Sequence, residues 1–144
     1  MSAGLESDLN LTRSPMDSPL EYEIDLARRC VVVTYHHQPT FAEWAETMEF
    51  IFGDPKYEPG LGMLMDRRFL LAPATTEYIR RLVAFIEANH GRTAGARWAL
   101  LVADIGSYGM ARMAEQLGRG HSIRSFRVWE GALAWLAAPE AASR

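Results

Sequence analysis

Residues 30–35 read Cys30-Val31-Val32-Val33-Thr34-Tyr35, a run of β-branched and aromatic side chains with almost no polar face. Such a run is a strand buried on both sides, so it needs partner strands at its edges and packed layers above and below. The flanking sequence supplies them. Upstream, Leu20, Tyr22, Ile24 and Leu26 alternate with Glu21, Glu23 and Asp25, the period of a strand with one wet face. Ala27-Arg28-Arg29 turns one run into the other, so the ordered chain opens as a hairpin.

Downstream, helical and strand periods alternate. Thr40 caps a helix with apolar positions Phe41, Trp44, Ala45, Met48 and Phe52, ended by Gly53-Asp54-Pro55. A Pro- and Gly-rich stretch, residues 54–62, leads to the strand Met63-Leu64-Met65, closed by Asp66-Arg67-Arg68. Thr75 or Thr76 caps a second helix with the stripe Ile79, Leu82, Val83 and Ile86, and Gly91 is placed as its left-handed end. Residues 97–103 form the next strand. Residues 104–107 then turn into a third helix with the stripe Met110, Met113, Ala114 and Leu117, stopped by Gly118-Arg119-Gly120. Phe126 and Val128 alternate with Ser125 and Arg127 in a last strand, and residues 130–136 form a short final helix. The order is β-β-α-β-α-β-α-β-α. Strands separated by helices pair in parallel through right-handed crossovers, so the expected fold is α/β: a mostly parallel sheet with one antiparallel edge and helices packed on it.

At 144 residues and 49% hydrophobic, the chain suits one domain with one core. Residues 19–138 are assigned to it. Residues 1–18, rich in Ser, Pro, Asp and Asn, are expected to be a flexible tail, and residues 139–144 a second, short one. A single cysteine, Cys30, excludes an intramolecular disulfide and suits a cytoplasmic protein. No apolar run reaches the roughly 20 residues of a membrane span. Charge is polarised: residues 1–18 carry −2, 19–66 carry −6 and 67–144 carry +5. The bases are nonetheless spread over several elements, and the pI is about 5.8, which argues against nucleic acid as a partner.

The chain resembles a known family in Tyr57-Glu58-Pro59-Gly60 before a strand ending in Asp66-Arg67-Arg68, and in Arg97-Trp98-Ala99 opening another. Tyr108-Gly109-Met110-Ala111-Arg112-Met113 and Ala132-Leu133-Ala134-Trp135-Leu136 complete the set. Together with the element order these are similar to the bacterial SpoIIAA-like family, over residues 20–136. Its members have the STAS fold of the anti-sigma factor antagonists and are also grouped with lipid-binding SEC14 domains. The resemblance implies a non-enzymatic regulatory, scaffolding or ligand-binding module. In the antagonists a phosphorylatable serine follows the aspartate at the end of the third strand. Here Arg67, Arg68 and Phe69 follow Asp66, and the nearest hydroxyls at the helix start are Thr75 and Thr76.

Ligands of open parallel sheets bind beyond the carboxyl ends of the strands. Asp66, Arg67, Arg68, Asp104, Tyr108 and Arg112 fall there and form a candidate polar rim for a small anion or a partner. A fold-supporting ion pair such as Asp66 with Arg112 is the alternative reading. Tyr108, Arg112 and Glu115 are expected to share a helix face opposite the Met stripe. Phe50 falls among Glu43 and Thr47 on the outer face of its helix and is a candidate interface residue, unless residues 54–62 fold back over it. His36 and His37, adjacent on a strand, point to opposite faces and do not share a metal, so no metal or cofactor is expected. Acid–base catalysis needs His36 or His37 within reach of Asp66 or Asp104. No coherent catalytic set emerges. The expectation is a non-enzymatic module that binds a protein partner or forms a homodimer, with a small apolar or anionic ligand carried in the SEC14 manner as the alternative.

Overall fold

The computed structural model describes residues 18–118 and 122–138, so all but Ser18 of the expected tail at 1–18, and the expected tail at 139–144, lie outside the described residues, as do Arg119 and Gly120 of the predicted helix stop. Five strands form one sheet: β1 (Leu20–Asp25), β2 (Cys30–Tyr35), β3 (Gly62–Asp66), β4 (Trp98–Leu101) and β5 (Ile123–Phe126). Four helices accompany them: α1 (Phe41–Phe52), α2 (Thr76–Ala88), α3 (Ile105–Leu117) and α4 (Trp129–Ala137). The strand order is sequential, with β1 antiparallel to β2 and every later pair parallel. This is the α/β architecture expected from the alternating periods.

Register divides the side chains into two faces. Leu20, Tyr22, Val31, Val33, Tyr35, Met63, Met65, Trp98, Leu100 and Ile123 join the core under α1, α2 and α3. A sequential order with right-handed crossovers places every connecting helix on that one face. Leu64, Ala99 and Leu101 point the other way, where they pack on Ala132 and are flanked by Leu133, Trp135 and Leu136 of α4. The nine-residue α4 is therefore the helical cover of the back face among the described residues. Its closest seat is at Gly62, where an added Cβ would lie 3.0 Å from the Leu136 side chain. Arg97 holds the far end of α4, donating from Nη1 to the Trp135 carbonyl at 2.6 Å, a cation at a helix C-terminus that has no basic residue of its own in its last turn.

Helix starts follow their caps. Thr40 and Glu43 form a reciprocal capping box on α1, and the Thr75 hydroxyl accepts from Tyr78 N–H at the start of α2. Three expectations shift. The last strand is Ile123–Phe126, and Val128 is instead the residue before α4, because an apolar alternation running past a strand end leaves its final member in solvent. The α2 helix ends at Asn89, and the left-handed positions after it are Ala94 and Gly95, not Gly91. The hairpin turn closes on Arg29, with φ 56°, a conformation unusual for a side chain with a Cβ.

Candidate functional site

The predicted rim residues reach the carboxyl end of the sheet but separate there. Asp66 is buried at the end of β3 and faces the α4 side. Its carboxylate accepts from Arg68 Nε and Nη2, each at 2.9 Å, and from the Arg68 backbone N–H at 3.2 Å. Residues two apart leave an extended strand on the same side, so the fork forms locally. It carries the Arg68 guanidinium over Trp129, 5.1 Å from the ring centroid. The ion pair expected between Asp66 and Arg112 is replaced by this one.

Arg67 leaves on the opposite face. Its backbone N–H continues the ladder to the Leu101 carbonyl, and its side chain enters the helix-covered core. The guanidinium carbon sits 4.7 Å from the Tyr35 ring centroid and 5.7 Å from that of Tyr78, and Nη2 donates to Gln38 Oε1 at 2.6 Å. Burial pushes both phenols well above their ordinary pKa, with the nearby Arg67 only partly opposing this, so both stay neutral.

Asp104 caps α3, accepting from Ser107 N–H at 3.1 Å. The Ser107 side chain and then the Ser107 backbone hold its carboxyl below the usual carboxylate range. Tyr108 is partly buried against the helix-side core with Met110 and Met113, a correction to the expectation that it faces away from the Met stripe. Arg112 is exposed and pairs with Glu115 at 3.2 Å. Glu115 also accepts from the backbone and hydroxyl of Ser125 on β5, a contact between distant segments that sequence spacing does not reveal. Phe50 is 65% exposed, so residues 54–62 do not cover it. His36 meets Glu21 Oε1 at 3.1 Å, not Asp66 or Asp104, and stacks on Phe69 with ring centroids 6.1 Å apart. Among the described residues no three His, Cys, Asp or Glu side chains converge as a metal site requires.

Polar reasoning missed the dominant feature of this end. Phe69 (66% exposed) and Leu71 (85%) follow β3, Ile105 (76%) opens α3 just after β4, and Val128 (59%) follows β5; these three strands are adjacent in the sheet. The connections touch: a Cβ on Gly106 would lie 3.9 Å from Pro73, Arg127 donates to the Ala103 carbonyl at 3.2 Å, and Arg68 spans to Trp129. These four exposed apolar side chains thus share the carboxyl end of the sheet with Arg68, Arg127 and His36. The signal was present in the sequence as apolar residues in loops, where turn chemistry favours polar ones.

Two cavities bear on the expected ligand readings. One of about 20 Å³ lies inside the core between Arg67, Tyr78, Ser107 and Met110. An open groove of about 610 Å³ lies at the amino end of the sheet, between the hairpin turn and Leu133, Leu136 and Ala137 of α4. No helix among the described residues is long and apolar enough to cross a membrane. No family model matches this chain, and comparison with curated proteins and with solved structures gives no match either.

Proposed function

We propose that this chain is a STAS-like, SpoIIAA-like docking module without a catalytic step, and that it binds a protein partner through the carboxyl end of its sheet. The observation that carries the reading is the clustering of Phe69, Leu71, Ile105 and Val128 on three neighbouring connections. Apolar side chains exposed singly need no explanation, whereas four large ones at one end of a sheet are the kind of exposure that interaction surfaces show. Their edge of Arg68, Arg127 and His36 suits a partner, or a second copy of the chain, that presents acidic groups around an apolar centre. The Asp66 fork supports this use, because it fixes Arg68 on Trp129 in advance and lowers the entropy cost of engaging it.

The test is sedimentation of the fluorescently labelled chain in extract of the cells that produce it. The wild type is expected to migrate well above its own 16.2 kDa, and the Phe69→Ser/Leu71→Ser variant at that mass. Equal sedimentation of the two, with both folded by circular dichroism, refutes the reading.

The amino-end groove favours a second reading, carriage of a small apolar ligand. Its roughly 610 Å³ falls within the range of small-molecule sites, and Cys30, Leu133 and Leu136 contribute to its lining. The space beneath the helices, at about 20 Å³, does not hold an acyl chain. Native mass spectrometry decides this reading: extra mass released on denaturation supports it, and a bare chain removes it.

A further inference from the structure

The surroundings of Arg67 are rich in donors and short of negative charge. A guanidinium carries five N–H donors, and the residue is 8% exposed. Gln38 Oε1 takes one of those donors, and among the described residues no carboxylate lies within 4.0 Å of the group. Its other neighbours do not compensate it. Tyr35 donates its hydroxyl proton to Met65 Sδ at 3.6 Å, and the Tyr78 hydroxyl, in a residue 7% exposed, meets only Tyr35 and Arg67, without a hydrogen bond of regular geometry. Trp44 Nε1, another buried donor, faces Tyr35 and likewise makes no hydrogen bond of regular geometry. Because burial keeps both phenols protonated, neither supplies a counter-charge. A buried cation without a counter-charge is costly, and a buried donor without an acceptor adds to that cost.

Both residues border the same space. Arg67 and Tyr78 line the interior cavity, and its volume of about 20 Å³ admits one small guest of roughly the size of a water molecule. Phosphate, sulfate and carboxylate-bearing metabolites are too large. A water in this space satisfies a donor but leaves the charge uncompensated.

We propose that this cavity is an internal binding site for a halide-sized monoanion, held by the Arg67 guanidinium and the Tyr78 hydroxyl. Ala74, from the same connection that carries Phe69 and Leu71, is among the residues lining it. It is independent of the docking reading and stands or falls without it.

The experiment is thermal unfolding of the full chain in chloride and in gluconate at constant ionic strength, paired with a crystal soaked in bromide. The wild-type midpoint is expected to rise with chloride and saturate. Tyr78→Phe removes only a hydroxyl that makes no hydrogen bond of regular geometry, so it folds, and its half-saturating chloride concentration rises about tenfold, the loss of one hydrogen bond to a charged group. Arg67→Met loses the dependence. Bromide is expected as an anomalous peak within hydrogen-bonding distance of Arg67. A chloride response of equal size in wild type and Tyr78→Phe, or a cavity holding water with no anomalous signal, overturns the proposal.

Discussion

Adding one methyl group at Gly62 tests how α4 is seated on the back of the sheet. A Cβ there would stand 3.0 Å from Leu136 Cδ2, 3.3 Å from Leu136 Cβ and 3.5 Å from Leu136 Cγ. Carbon atoms pack comfortably at about 3.5–4.0 Å. The Cδ2 tip can rotate away, but Leu136 Cβ moves only with the helix, and Arg97 ties that end of the helix through the Trp135 carbonyl. Gly62→Ala therefore forces α4 outward by a few tenths of an ångström, an overpacking cost of about 1–3 kcal/mol. Against this, alanine reduces the freedom of the unfolded chain and returns about 0.4–1 kcal/mol, because Gly62 does not sit at positive φ. The net expectation is a loss of about 1 kcal/mol. In a Leu136→Gly background all three of these atoms are gone, and Gly62→Ala should stabilise by about 0.5 kcal/mol. The assay is urea unfolding of the four proteins of this cycle, followed by far-UV circular dichroism. A coupling of about 1–2 kcal/mol with a reversal of sign is predicted. The same sign and size of effect in both backgrounds would refute the packing of α4 on Gly62.

Three further outcomes follow from the caps and the core. Thr75→Ala should cost about 1 kcal/mol in chemical denaturation by removing the acceptor for Tyr78 N–H, while Thr76→Ala, exposed inside the same first turn, should stay within about 0.5 kcal/mol; equal losses would mean that Thr75 is not the cap. The Asp104 carboxyl is held below its ordinary pKa in the folded state, so its contribution is complete above about pH 4 and is lost as pH falls through the folded-state value. Asp104→Asn should flatten that acid limb in a pH series of unfolding midpoints, and a parallel limb would contradict the assignment. Arg67→Met in gluconate buffer should be neutral or stabilising by up to about 2 kcal/mol, because an uncompensated buried cation gives way to an apolar chain of similar length. A loss above about 3 kcal/mol would show that Gln38 and the two tyrosine rings already balance the charge.

Most of the architecture was readable because it is written in periods. Alternation in residues 20–26 and the unbroken run of 30–35 gave the hairpin, and Thr40 and the pair Thr75–Thr76 announced their helices, with Thr75 the one of that pair whose side chain accepts from the first turn. The strand-helix alternation then left few topologies. What periods do not encode is the fate of residues just past a strand end. Asp66, Arg67 and Arg68 look like one polar cluster in sequence, yet the strand's alternation sends Arg67 into the core and the other two to the α4 side. Tyr78 was passed over because it sits at the margin of the α2 apolar stripe, and its role depends on Tyr35 and Arg67 arriving from two separate strands. The Glu115 contact with Ser125 joins α3 to β5 and is equally invisible to local spacing. Val128 satisfied an alternation that the sheet did not extend to it.

The docking face is the central claim, and photo-crosslinking by position tests it most directly. A benzophenone side chain is introduced at Leu71, at Ile105 or, as a comparison on a different surface, at Phe50, which is just as exposed as Phe69. The account predicts that Leu71 and Ile105 crosslink to one and the same protein, or to a second copy of this chain, and that the adducts disappear when Phe69 and Val128 are both changed to Ser. Adducts formed from Phe50 alone, or adducts from Leu71 and Ile105 that survive that double change, would contradict it.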